Sequence, residues 1–359
     1  MKMIRKMTAL LLALCVALGA VSCSSADQSW SAEKDGDRLP VGVYVYNLYA
    51  AISLAQTQDG VDTSANLLEQ EIDGQPAEEW IRNEAMRMTK EIYYLRSELE
   101  ARGIPLTDDE QTQAESLASS QWGYVPDSVK KYVSLDSFTI AYGELSVMMR
   151  KLFDSMYGEG GEREVSEDEL RTQFESTYYD FDYVLGSLQY KTEAEMTGAE
   201  GESDEMTDEE AEERKALFDG YATDINNSAM TMDQAAQFFA DLTGSTDTEP
   251  SHELVNNDTL ESSFPSEVKT ALDEMEAGET RSIEVTILSK GVLLMRKNDI
   301  TADTDEFLAD ENNREALLTS LKADEFTGEL DAAVDAFEGV AFNDAALSGY
   351  HPSEFYTAP

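Results

Sequence analysis

Apolar residues recur along this chain in two distinct periods. From Pro76, Ile81, Ala85, Met88, Ile92, Leu95 and Leu99 fall at alternating steps of four and three, which predicts an amphipathic helix closed by Gly103. Phe138, Tyr142, Leu145, Met149, Leu152 and Met156 repeat the stripe and stop at Gly158. Val41 to Ala55, after Pro40, reads as a buried first helix. Four capping-box spacings open further helices: Thr107 with Glu110, Ser166 with Glu169, Thr207 with Glu210, and Thr231 with Gln234. The last carries Ala235, Phe238, Phe239 and Leu242. Phe307, Leu317, Leu321, Leu330, Val334 and Phe337 predict a closing long helix, or two with a break.

Period two replaces period 3.6 in two places. Phe181, Tyr183 and Leu185 alternate within Tyr178 to Leu188, as on a strand. The stretch from Ser263 to Ile300 reads as a short helix, a turn and a β-hairpin. Val268, Ala271, Leu272 and Met275 make its helical face, and Gly278 is the stop signal. Ile283, Val285 and Ile287 alternate, Ser289-Lys290-Gly291 is the turn, and Val292 to Met295 returns. Gly244 to Ser263 is polar and loop-like. Lys191 to Glu205 is acidic and reads as a mobile loop rather than a binding site. The fold class is therefore α+β, predominantly α. The helical flanks pack on each other, with a small α+β domain inserted between them.

The amino terminus changes this picture. Lys2, Arg5 and Lys6 precede an apolar run from Met7 to Val21, the pattern of an export signal over residues 1–22. Ala20-Val21-Ser22-Cys23 resembles the lipobox of bacterial lipoproteins, which implies lipidation at Cys23. Residues 23–38 then read as a polar tether. Cys15 and Cys23 are the two cysteines, so the mature chain has no disulfide, cysteine nucleophile or thiolate metal site. The formal net charge of −47 excludes nucleic acid as a natural partner. It suits cationic peptides or divalent ions. Asp299, Thr301, Asp303 and Asp310 come nearest to a calcium loop, but Thr304 stands where the loop needs Gly. Serine-hydrolase elbows, His-Glu-x-x-His helices and phosphate loops are missing. No metal or cofactor is expected.

Element order and particular motifs resemble the extracytoplasmic foldases of the SurA/PrsA group. The motifs are Gly103-Ile104-Pro105-Leu106-Thr107-Asp108-Asp109-Glu110, Ser166-Glu167-Asp168-Glu169-Leu170 with Phe174, and the Ser263–Ile300 stretch. The resemblance implies a helical chaperone domain from residues 39–177 and 301–359, with a parvulin-like prolyl isomerase domain at 178–300. Parvulins use a His on the first strand and another near the start of the last. Here the first strand has none, and Gly291-Val292-Leu293-Leu294 puts Leu293 in place of the second. His252 and His351, the only histidines, match neither position and read as surface residues. No catalytic residue is assigned. The expectation is a chaperone for unfolded exported polypeptides, lipid-anchored outside the bacterial cell membrane, with weak or no isomerase activity. The alternatives are an active peptidyl-prolyl cis-trans isomerase and a ligand-binding or structural surface lipoprotein.

Overall fold

The structure, a computed structural model, describes residue 27, residues 29–198 and residues 202–359. Cys23 and the segment read as an export signal lie outside the described residues. The architecture is α+β and predominantly α. The chain divides into two compact units: one runs to Glu164 and resumes over Lys322–Pro359, and the other is Val165–Leu321. The second unit contains residues 178–300 and adds a helix before them and helices after them.

In the first unit, residues 30–38 of the stretch read as a tether are folded. Strands β1 (Trp30–Lys34) and β2 (Asp37–Pro40) form an antiparallel hairpin. Asp35 and Gly36 turn at φ of 52° and 89°, the Asp-Gly chemistry that two-residue hairpins require. Helix α1 (Val41–Ala55) follows and is buried along most of its length. After a two-residue ladder of β3 (Glu71–Ile72) and β4 (Gln75–Pro76) comes α2 (Ala77–Ala101). Val45, Leu48, Ile52, Ala77, Ile81 and Ala85 share one core. Asn47 Nδ2 donates to Thr89 Oγ1 at 3.0 Å inside it.

Helix α3 (Asp108–Gln121) starts at the Thr107–Glu110 capping box. Two short helices, α4 (Asp127–Lys130) and α5 (Leu135–Phe138), lead through a π-helical turn, Thr139–Glu144, into α6 (Leu145–Tyr157). The π turn corrects the expected stripe. Its wider repeat rotates the helix beyond it. Val147 and Met148 are therefore buried, whereas Leu145 and Met149 stand half-exposed. Gly143 within it sits against α3, where a Cβ would lie 2.2 Å from the Ala114 carbonyl oxygen.

The second unit opens with α7 (Glu167–Thr177), capped by Ser166 and Glu169, and β5 (Tyr178–Ser187). Helices α8 (Asp208–Asn226) and α9 (Met232–Thr243) begin at the two remaining capping boxes. The polar segment after Gly244 is not a loop. It holds β6 (Ser251–Asn256) and α10 (Asn257–Ser263). As an edge strand with Ser, His and Glu leading, β6 lacks the alternation that marks a half-buried strand.

Helix α11 (Ser266–Glu274) ends before Gly278, which turns the chain at φ 84° into β7 (Thr280–Thr286). Strand β8 (Lys290–Lys297) returns. Ile287, expected in the strand, forms the turn with Leu288 and Ser289; Ile287 and Leu288 are 44% and 100% exposed. The sheet order is β6-β5-β8-β7, antiparallel throughout. Helix α12 (Thr304–Ala309) packs on α7, with Phe307 stacked on Phe174 at 4.2 Å. Helix α13 (Glu311–Ala336) then leads from the second unit into the first.

Both chain ends build the first unit. Phe153 meets Phe326 edge-on at 5.3 Å, and Tyr94 meets Phe337 at 5.6 Å. Strand β9 (Ala341–Phe342) adds to β1, giving the order β2-β1-β9. Helix α14 (Asp344–Leu347) and a 3-10 turn, Pro352–Glu354, close the unit.

Candidate functional site

The four-stranded sheet has two differently furnished faces. Leu293 on β8 stands opposite Leu185 on β5 and Ile283 on β7, so three apolar side chains form one row across a single face. Helices α10 and α11 cover one end of that face. Leu260, Val268, Leu272 and Met275 pack there on Phe181, Leu293 and Met295. Lys297 Nζ holds α11 in place by donating to the Leu272 and Met275 carbonyls at 2.7 and 3.0 Å. A cation at a helix carboxyl end also complements the helix dipole.

The cover stops short of the row's outer members. Leu293 is fully buried, but Leu185 is 46% exposed, and Tyr183, Phe264 and Ile283 are half-buried. Tyr183 and Phe264 meet edge-on at 5.7 Å, and Phe264 meets Phe181 at 5.5 Å. The result is an apolar shelf of Tyr183, Leu185, Phe264 and Ile283 with Leu293 as its floor. An apolar surface with aromatic edges can grip hydrophobic and proline side chains. Leu293 offers no proton donor, and the Tyr183 hydroxyl is the one polar side-chain group in the shelf.

The opposite face carries charge at one end. Asp182 on β5 faces His252 on β6, with Oδ1 3.0 Å from the imidazole Nδ1. Asp180 is buried, accepts from Asn298 Nδ2 at 2.9 Å and lies 3.6 Å from His252 Nδ1. Burial raises the Asp180 pKa to about 6. Asp303 adds to that rise, while the Asn298 hydrogen bond and His252 oppose it. His252 thus belongs to an edge strand and an ion cluster, not to a polar loop. It pairs with Asp182, whose neighbours Phe181 and Tyr183 point to the other face, so its ring serves this cluster and not the shelf. His351 lies in the first unit, 2.8 Å from Arg82.

The remaining sequence candidates resolve as follows. Asp299 accepts from the Thr301 backbone at 3.1 Å and hydroxyl at 2.7 Å, so it caps a 3-10 turn, Ile300–Ala302. Among the described residues, no group of His, Cys, Asp and Glu could hold a metal ion. No helix among them is long and apolar enough to cross a membrane. The acidic segment read as mobile is pinned at its described ends. Lys191 N donates to Asp204 at 2.7 Å, Met206 N to Gln189 at 2.8 Å, and the Thr192 hydroxyl to Thr243 at 2.6 Å. Arg214 pairs with Glu195 beneath it.

Sequence reasoning named Leu293 but missed Phe264. The signal was present: Phe264 precedes Pro265, which holds it extended and outside α11.

No family model matches the sequence, and no curated protein does. Several solved structures resemble the chain. The foldase protein PrsA of Lactococcus lactis aligns over 92% of this chain and 100% of its own, at 15% identity and a TM-score of 0.34. The foldase protein PrsA of Streptococcus pneumoniae aligns over 74% of this chain and 87% of its own, at 13% identity and a TM-score of 0.34. PrsA of Bacillus subtilis aligns over 80% and 98%, at 10% identity and a TM-score of 0.28. Likeness at this level decides nothing about activity.

Proposed function

We propose that this protein is an extracytoplasmic chaperone, anchored to the bacterial cell membrane through a lipid on Cys23, that binds unfolded exported polypeptides. The observation that carries the reading is the apolar shelf. It opens to solvent at Leu185 on a surface dense in carboxylates, and its floor is Leu293 where the parvulin resemblance expects a His. An apolar shelf holds extended chains by area and shape. Lowering the prolyl barrier of about 18–20 kcal/mol needs groups that favour the twisted amide, and a leucine supplies none. Residues 178–300 are, on this reading, a parvulin-like domain that keeps its grip and has lost its acid–base chemistry.

Suppression of aggregation of an unfolded model protein at stoichiometric ratio is the test. Leu185→Ser and Ile283→Ser should abolish the suppression that the parent chain gives. Suppression that survives both substitutions sinks the shelf as the binding surface. Proline-limited refolding should accelerate weakly or not at all, and strong acceleration would make the protein an isomerase instead. Labelling of Cys23 with a fatty acid, absent in Cys23→Ala, tests the anchor.

A further inference from the structure

Helix α9 buries one face and leaves a second apolar stripe uncovered. Met232, Ala235, Ala236 and Phe239 point into the core beneath the sheet. Phe238 and Leu242 stand 50% and 49% exposed. They are four residues apart and so lie one above the other on the outer face. A cleft of about 580 Å³ opens at Phe238, walled by Asp233, Glu249 and Pro250. Another of about 540 Å³ opens at Leu242, walled by Met206, Leu217, Glu210 and Glu213. Asp241 lies between them on the helix, bonded to Gln237 at 2.9 Å. The two cations nearby are already paired: Lys191 with Glu210 and Glu202, and Arg214 with Glu195. The stripe is therefore apolar at its centre and acidic at both ends.

We infer that this face of α9 is a second polypeptide-binding surface, and that its occupant is a cationic amphipathic segment. Such a segment seats two apolar side chains on Phe238 and Leu242 and sets Lys or Arg against Asp233, Glu249 and Glu213. An acidic or neutral apolar segment gains the same contact area and meets the wrong field. The surface lies on the sheet face opposite the shelf, since α9 packs with Val292 and Leu294 and the shelf's floor is Leu293. The inference therefore does not depend on what the shelf binds.

Fluorescence anisotropy with a labelled Leu/Lys amphipathic peptide, beside its Leu/Glu counterpart, tests this on the full mature chain. The Leu/Lys peptide should bind and weaken with added salt, since exposed charges are screened within about 10 Å at 0.1 M. Phe238→Ser with Leu242→Ser should weaken it about tenfold or more. Glu213→Lys with Glu249→Lys should do the same with the apolar stripe intact. The loss on Phe238→Ser with Leu242→Ser should be as large in a Leu185→Ser background, where the shelf is disabled. Equal binding of the Leu/Glu peptide, or binding untouched by both double variants, overturns the inference. So does concentration-dependent dimerisation abolished by Phe238→Ser with Leu242→Ser, because a second copy would then cover the face.

Discussion

Leu293 and Leu185 face each other across β8 and β5, one sealed in the core and the other nearly half open to solvent. The pair marks the edge where the core of the second unit becomes its surface. Leu293→His moves an imidazole into a site with no polar partner in its apolar cluster. Burying an unpartnered polar group costs about 1–3 kcal/mol, so the melting temperature should fall. Proline-limited refolding should not accelerate, because the imidazole is sealed beneath the shelf, out of reach of a bound amide. A gain of isomerase activity in this variant would show that residue 293 alone separates chaperone from enzyme.

Gly186 lies on the other side of the same strand, directly under α8. A Cβ there would sit 2.7 Å from the ring of Phe218, which is fully buried and meets Phe239 edge-on at 5.0 Å. The ring has no solvent side to retreat to. Gly186→Ala should therefore cost about 1–3 kcal/mol through overpacking. Chemical denaturation of the variant beside the parent chain measures it, and an unchanged midpoint refutes the close packing.

Two buried carboxyls set a pH dependence. Glu91 on α2 is held up to about 7, with burial the main cause, opposed by Arg87 and reinforced by Asp331 and Glu84. Asp180 is held up to about 6. Both values exceed those of the unfolded chain, so the folded state binds the extra protons. These two groups therefore cost the fold least at pH 4 and progressively more as pH rises, fully above about 7. Glu91→Gln and Asp180→Asn should each raise the melting temperature relative to the parent at pH 8. The gain should vanish near pH 4 for both. A gain that is constant from pH 4 to pH 8 contradicts the linkage.

Thr231 caps the helix that bears Phe238 and Leu242. Its hydroxyl accepts from Gln234 N at 3.2 Å, and Gln234 returns the bond to Thr231 N at 3.0 Å. Thr231→Ala should cost roughly 1 kcal/mol, within the 0.5–2 kcal/mol of such caps. Amide exchange in the first turn of α9 should quicken more than exchange in β8.

Local chemistry made much of the chain legible. The four capping boxes fix their helix starts without reference to any distant residue, because each satisfies backbone donors within four positions. The hairpin of β7 and β8 was legible through its alternation, but its turn is Ile287–Ser289, and Lys290 and Gly291, expected in the turn, belong to β8. Asp35-Gly36 carried an equally local signal that a polar composition obscured.

What the sequence could not settle depended on which face met which neighbour. Phe238 and Phe239 are adjacent and alike in hydrophobicity, yet one is core and the other surface, because only the packing of α9 on the sheet chooses between them. Beside the π turn at Thr139–Glu144, Leu145 and Met149 of the expected stripe are half-exposed while Leu152 and Met156 stay buried, a local offset that a fixed period cannot register. Strand β6 exists because β5 offers it a ladder, not because its own residues prefer one. The sequence by itself determined the long amphipathic helices, the four capped helix starts and the alternation of β7 and β8, since those are properties of residue types and short spacings. Tertiary structure decided that Leu293 is sealed while Leu185 beside it is open, because burial depends on how far α10 and α11 reach across the sheet.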